Sequence, residues 1–268
     1  MKWPKSVTFI RHGQSAYNIL KARKQADPVY QEFVKAFTHD HTSLETRRLA
    51  ASISARYQSK TGDAKTPLTN AGIQQARITG TNILGYAPAP DVVFVSPYLR
   101  TGSTFGHIAH GAKLDPNSYQ LVVDARIREQ EHGLSLLYSD WRVFQTMHPE
   151  QKQLHDMQGP YWYQYPQGES VLMVQDRIRS FNDMLIREYA GANVWIVSHH
   201  LTLLSFRANI ERWSEEKFTQ VDNTEEPVNC GVTIYDGNPK AGKNGKLELK
   251  HYNLKLYANK KEIGRAHV

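Results

Sequence analysis

The sequence predicts an α/β protein with a mainly parallel β-sheet flanked by helices on both faces. Three observations carry that prediction. Short runs rich in β-branched and aromatic residues, VTFI from Val7, VVFVS from Val92 and VWIVS from Val194, read as strands buried on both faces. Segments whose apolar residues repeat at helical spacing separate these runs, which is the alternation of parallel crossover units. The chain has 268 residues, 40% of them hydrophobic and 22% charged, so it is long enough to bury a full core.

After the first strand, the stretch from Ala16 to Lys65 is polar and helix-compatible. YQEFVKAF and SLETRRLAASISARY are the helices expected there, with Ser43 capping the second but no capping-box acid behind it. In TPLTNAGIQQARITGTNIL, Thr69 or Asn70 caps a helix whose apolar positions are Ile73, Ala76, Ile78 and Ile83. The second strand, Val92 to Ser96, lies between the turn-prone YAPAPD and Pro97, and YLRTGSTFGHIAH reads as a helix after it. LVVDARI, Leu121 to Ile127, is expected as a third buried strand, and Ser135 to Tyr165 as irregular to helical. ESVLMVQDRIRSFNDMLIREY is the clearest helix, with Val171, Val174, Ile178, Phe181 and Leu185 in one stripe and Gly191 to stop it. Val194 to Ser198 is the fourth strand, followed by the short helix LTLLSFRANI. Val232 to Asp236 is the fifth strand, and KLELKHYNLKLY is an edge strand guarded by lysines. Periodicity leaves the strand order open.

One domain is expected over residues 1–261, with a helical insertion around 19–65. No repeat, low-complexity tract or apolar run near the roughly 20 residues of a membrane span is present. The apolar stretch of MKWPKSVTFI is too short for a secretory core, so no targeting signal is read. A single cysteine, Cys230, excludes an intramolecular disulfide framework and a cysteine-based metal cluster, and fits a reducing cytoplasm. The net charge is +7, but seven lysines between Lys240 and Lys261 against Glu248 supply +6 of it. Glu262 and Arg265 cancel, so residues 1–239 carry only +1. A basic end on a nearly neutral body reads as a solvated segment, and neither nucleic acid nor membrane is expected as a partner. The last residues, EIGRAHV from Glu262, resemble a reading frame of a common sequencing adapter and are expected to be a non-native tail.

Chemistry-bearing residues follow the strands at one end. Arg11, His12 and Gly13 follow the first, Arg100 the second, Glu129, Glu131 and His132 the third, and Ser198, His199 and His200 the fourth. In open α/β sheets the crevice at the carboxyl ends of the strands is where ligands bind. Two arginines and two histidines around one point attract a dianion, and the guanidinium fork matches phosphate oxygens. The helix after His199 adds backbone N–H groups and its positive dipole end. Phosphoryl transfer is catalysed mostly by positioning and electrostatic stabilisation, which such a set supplies. His12 is then the candidate nucleophile, and Glu129 or Glu131 the carboxylic acid that protonates the leaving alkoxide. His39, Asp40 and His41 look like a metal pair with an acid, but lie in a polar insertion without further ligands and read as a solvated turn. The aromatic cluster from Tyr161 to Tyr165 reads as loop packing or as a lid over a substrate's organic part.

RHGQSxxN, PLTNAGIQQA, SPYLRT, EQEHG, PQGES and VSHH, in this order across most of residues 7–210, resemble the histidine phosphatase superfamily, also called phosphoglycerate mutase-like. The resemblance implies that His12 is phosphorylated during turnover. It implies that Arg11, Asn18, Arg100 and His199 hold the phosphate. Glu129, four residues before Gly133, matches the proton donor, and no metal or other cofactor is implied. Three departures stand out. His200 replaces the small residue, commonly glycine, after the second histidine, and about fifty residues separate Asn18 from PLT. The arginine pair with which mutases grip a carboxylate is not evident between Trp141 and Gly168. The expected activity is hydrolysis of a small phosphorylated metabolite, with phosphoglycerate mutation or a catalytically impaired phosphate-binding protein as alternatives and a metal-dependent hydrolase more remote.

Overall fold

The computed structural model describes residues 2–59, 61–138 and 140–258, so the expected non-native tail lies outside the described residues. In chain order the first elements are β1 (Ser6–Arg11), α1 (Ala16–Ala26), α2 (Pro28–His39), α3 (Leu44–Tyr57), α4 (Asn70–Ile83), β2 (Val92–Val95), α5 (Leu99–Ala112) and β3 (Gln120–Val123). There follow α6 (Trp141–Met147), α7 (Pro149–Gln158), α8 (Val171–Glu188), β4 (Asn193–Ser198), α9 (His200–Glu211), α10 (Glu215–Thr224), β5 (Val232–Asn238) and β6 (Lys246–Leu254). They pack as two compact units. One comprises Met1–Ser15, Asp63–Glu129 and Gln175–Val268; the other comprises Ala16–Gly62 and Gln130–Val174.

The first unit holds a six-stranded sheet in the order β3-β2-β4-β1-β5-β6. The first four strands in that order run parallel, and β5 and β6 are antiparallel additions. The α/β class and the mainly parallel sheet therefore stand. Successive side chains point to opposite faces, which is why the central runs are apolar throughout. Ile10, Val93, Val95, Trp195 and Val197 pack with Ala76 and Ile83 of α4 and Phe105 and Ile108 of α5. On alternate positions Phe94 meets Phe181 of α8 at 5.1 Å between ring centroids, and Phe9 meets Phe206 of α9 at 5.8 Å.

Two expectations need correction. β3 is shorter than LVVDARI and is not buried: it is the outermost strand, Leu121 and Val123 are 54% and 66% exposed, and Ala125–Ile127 form a 3-10 turn capped by Asp124. In α4, Ile78 is exposed, and the buried face is Gly72, Ala76, Thr79, Gly80 and Ile83. That face is small because α4 and α5 touch backbone to backbone. A Cβ on Gly80 would stand 2.2 Å from Ile108 O, and one on Gly111 2.2 Å from Arg77 O.

The second unit contains the helices of the segment read as an insertion, together with α6 and α7. Its caps follow local chemistry: Asp27 Oδ1 accepts from Val29 N ahead of Pro28, Ser43 Oγ from Thr46 N, and Asp140 Oδ1 from Arg142 N. Tyr30, Phe33, Phe37, Leu49, Ile53 and Val143 form its core. A buried ion pair joins Lys24 Nζ to Asp140 Oδ2 at 2.7 Å, and the Tyr30 hydroxyl donates to the same oxygen at 2.8 Å.

Candidate active site

The carboxyl ends of β1, β4 and β2 lie side by side, with Arg11 paired to Ser198 and Val95 to Val197. The next residue of each strand is His12, His199 and Ser96, and their side chains meet. The rings of His12 and His199 are 5.2 Å apart, edge-on, and His199 Nε2 lies 2.8 Å from Ser96 Oγ. The Tyr98 ring packs against His199 at 5.0 Å, and the Arg100 guanidinium lies over Tyr98 at 4.8 Å. Arg11, His12, Arg100 and His199 are each at most 7% exposed. The structure thus brings these four expected residues into one buried cationic cluster.

The loop that carries His12 is fixed from several sides. Gly13 N donates to Thr104 Oγ1 on α5 at 2.9 Å, and Gln14 N to Gln75 Oε1 on α4 at 2.9 Å. Thr69 N donates to Gln14 O, and Thr69 Oγ1 also caps α4 by accepting from Gly72 N. At Gly72 the two backbones press together: a Cβ there would stand 2.1 Å from Gln14 O. The PLTNAG block is therefore a cap and a close-approach point for the His12 loop. His12 O in turn accepts from Cys230 N and Asn229 Nδ2, each at 3.2 Å.

His12 Nδ1 lies 2.8 Å from Gly13 O. A carbonyl only accepts, so Nδ1 carries the proton and Nε2 keeps the lone pair. Burial, then the charges of Arg100 and Arg11, hold the His12 pKa well below the ordinary histidine value, which keeps the ring neutral. Burial and Arg100 act on His199 in the same direction. Two buried nitrogens in the cluster, Arg11 Nε and His199 Nδ1, have no hydrogen-bond partner. Buried polar groups are normally satisfied, and Arg11 Nε is a donor in every protonation state, so an acceptor beside it would complete the cluster.

Two acids that the sequence did not single out flank the arginines. Arg100 Nη1 donates to Asp63 O at 2.8 Å and Oδ1 at 2.9 Å; Arg11 Nη1 donates to Pro227 O and reaches Glu226 Oε1 at 3.4 Å. Neither acid sits in a periodic pattern, so only tertiary structure finds them. Ser96 and Tyr98 were legible as part of SPYLRT but had no assigned role. His200 opens α9, and its ring faces Asp222 at 3.0 Å and Glu226 at 3.8 Å.

Glu129 is half-buried just after the 3-10 turn, and its carbonyl accepts from Arg177 Nη2 at 3.1 Å. Glu131 belongs to the other unit and is exposed; its N donates to Glu169 Oε2 at 3.1 Å, and its carbonyl accepts from Glu169 N at 2.7 Å. Asn18 lies on α1, also in the second unit, and is half-buried. Arg142, the arginine that follows Trp141, lies over the Trp141 ring at 4.1 Å and reaches Asp140 and the Tyr30 hydroxyl. His39 ends α2, and Asp40 and His41 lead into the turn after it, where Asp40 Oδ1 accepts from Thr42 N and Thr42 Oγ1. Among the described residues no three His, Cys, Asp or Glu side chains converge as a metal site requires. Tyr161 and Tyr163 are buried, and the Tyr163 hydroxyl donates to Gln151 Oε1 at 2.9 Å.

Known proteins share parts of this sequence and its fold. The phosphoglycerate mutase-like protein AT74H of Arabidopsis thaliana is 28% identical over 198 residues, 65% of this chain and 66% of that protein. This chain thus spans a little under two thirds of that relative's length. The solved structure of a mycobacterial glucosyl-3-phosphoglycerate phosphatase with inorganic phosphate superposes with a TM-score of 0.61 at 16% identity, over 95% of this chain and all of that one. A phosphoserine phosphatase of Entamoeba histolytica, in complex with phosphoserine, gives 0.61 at 15% identity over 95% of this chain and 99% of the other. The family model for the histidine phosphatase superfamily (branch 1) matches residues 51–248, a span that includes Arg100, Glu129 and His199 and begins after His12. On that match the chain belongs to the histidine phosphatase superfamily.

Proposed function

We propose that this protein hydrolyses phosphate monoesters of a small metabolite through a phosphohistidine at His12, without a metal. The observation that carries the proposal is a buried, neutral His12 with its lone pair on Nε2, set in a cationic cluster where Arg11 Nε and His199 Nδ1 are unpartnered. Arg11, Arg100 and His199 hold the phosphoryl oxygens, and their charge offsets the negative charge of the transition state. His12 Nε2 attacks phosphorus, the ester P–O bond breaks, and the leaving oxygen takes a proton from Glu129. Glu129 then accepts a proton from water as that water attacks the phosphohistidine. The P–N bond breaks, and inorganic phosphate and free His12 result. Glu129 is favoured over Glu131 because its segment is held in the same unit as His12.

Acid and alkaline quenching of the enzyme with phosphorus-labelled monoester tests this. Label on the protein should survive base and not acid, and His12→Ala should trap none. Base-labile label, or turnover unaffected by His12→Ala, would overturn the proposal. The likeness to a protein named phosphoglycerate mutase-like supports a second reading, phosphoryl transfer between positions of a phosphoglycerate. Isomerisation faster than phosphate release, with 3-phosphoglycerate and a bisphosphate primer, would establish it instead.

A further inference from the structure

Glu129 leaves the sheet beyond an exposed edge strand, a poor foundation for a group that must meet a leaving oxygen within hydrogen-bond reach. Side chains supply the foundation. Arg126 O accepts from Arg177 Nη1 at 2.6 Å, and Ile127 O from Ser198 Oγ at 2.5 Å. Arg128 O accepts from Arg177 Nη1 at 2.9 Å and Thr202 Oγ1 at 2.7 Å, and Glu129 O from Arg177 Nη2 at 3.1 Å. Four consecutive carbonyls are thus gripped from α8, the end of β4 and the first turn of α9. Bonds from a guanidinium are charge-assisted, and one planar fork fixes the carbonyls relative to each other. Ser198 and Thr202 flank His199, so the segment that carries the second histidine also holds the segment that carries the acid.

We propose that Arg177, assisted by Thr202, is a positioning residue that sets the Glu129 carboxyl for proton donation to the leaving group. The proposal rests on the function proposed for Glu129 above. Arg177 touches neither substrate nor reacting atoms in it. Displacing Glu129 should therefore penalise poor leaving groups, which need the proton, far more than good ones.

The test compares phenyl phosphate with 4-nitrophenyl phosphate in the wild type, Glu129→Gln, Arg177→Met, Arg177→Lys and Thr202→Val, with inorganic phosphate inhibition and thermal unfolding measured alongside. For Arg177→Met the kcat/KM ratio of the two substrates should shift at least tenfold against phenyl phosphate, part of the roughly 10²–10⁴ that positioned proton transfer contributes. Thr202→Val should shift it in the same direction by less, Arg177→Lys should recover part of the loss, and phosphate inhibition should stay within about threefold. Added to Glu129→Gln, Arg177→Met should bring little further shift, because both act through one group. If Arg177→Met does not fold, Thr202→Val and Arg177→Lys decide the matter. Equal losses on both substrates, or weakened phosphate inhibition, would overturn the positioning role. If Glu129→Gln leaves the substrate ratio unchanged, the assignment of Glu129 fails instead, whatever Arg177 does.

Discussion

His12 is 4% exposed beside two guanidinium groups, and the protonation this environment enforces can be measured without a substrate. Its Nδ1 is committed to Gly13 O, so long-range 15N–1H spectra at pH 6 should show a neutral ring protonated on Nδ1. A cationic ring at that pH would remove the nucleophile. The same environment couples to stability. Unfolded, His12 and His199 bind protons near pH 6.5; folded, both resist, because burial and Arg100 depress their pKa values. Below about pH 6.5 the unfolded chain therefore holds more protons than the native one, and stability falls as pH falls. Each histidine contributes at most about 1.4 kcal/mol per pH unit to that decline. Urea unfolding of His12→Phe between pH 7 and 5 should show a shallower decline than the wild type. Equal slopes in the two proteins would mean that His12 titrates normally.

Among the elements, α4 does two separable jobs through two glycines. Gly80 lets its middle lie against α5, and Gly72 lets its first turn lie against the His12 loop. A methyl group at Gly80 meets backbone of a packed helix, so Gly80→Ala should cost about 1–3 kcal/mol in chemical unfolding. A methyl group at Gly72 meets Gln14 O, and the loop beside His12 must move to make room. Misplacement by about 1 Å costs on the order of 10² in rate, so Gly72→Ala should lose far more kcat/KM than Gly80→Ala. Equal kinetic losses would show that the loop is not held at Gly72. These contacts also mark how far the sequence is legible. Buried strands and capped helices are local properties, so VTFI, VVFV and VWIVS, the Thr69 and Ser43 caps and the α8 stripe could be read directly. The buried face of α4 could not, because two glycines and a threonine carry no hydrophobic signal and Ile78 carries a misleading one. LVVDARI misled likewise: its apolar residues fit a buried strand, but its place at the edge is a fact of strand order. The cationic cluster was legible because Arg11, His12 and His199 stand at strand ends and Arg100 opens the helix after another strand. Asp63, Glu226 and the Arg177 clamp were not, since a side chain gripping distant carbonyls leaves no pattern along the chain.

At the scale of the whole molecule the charge is uneven, with +6 of the net +7 contributed between Lys240 and Lys261 and the rest nearly neutral. Two sources of affinity for phosphate therefore have to be told apart: the buried cluster and the basic segment. On β6, Lys250 is paired to Asp236 at 2.8 Å and is 47% exposed, which is the setting of a screened surface charge. Arg100, by contrast, is 4% exposed, and its field reaches both His12 and His199. A ligand that binds only the native state stabilises it by mass action, about 2.7 kcal/mol at a hundredfold excess over Kd. For a chain of this size that corresponds to a rise in Tm of about 5–10 °C. Inorganic phosphate at constant ionic strength should produce such a rise in the wild type and little in Arg100→Leu. That variant keeps every lysine of the basic segment, so phosphate held there would stabilise both proteins alike. An equal rise in the two would place the anion site outside the cluster around His12.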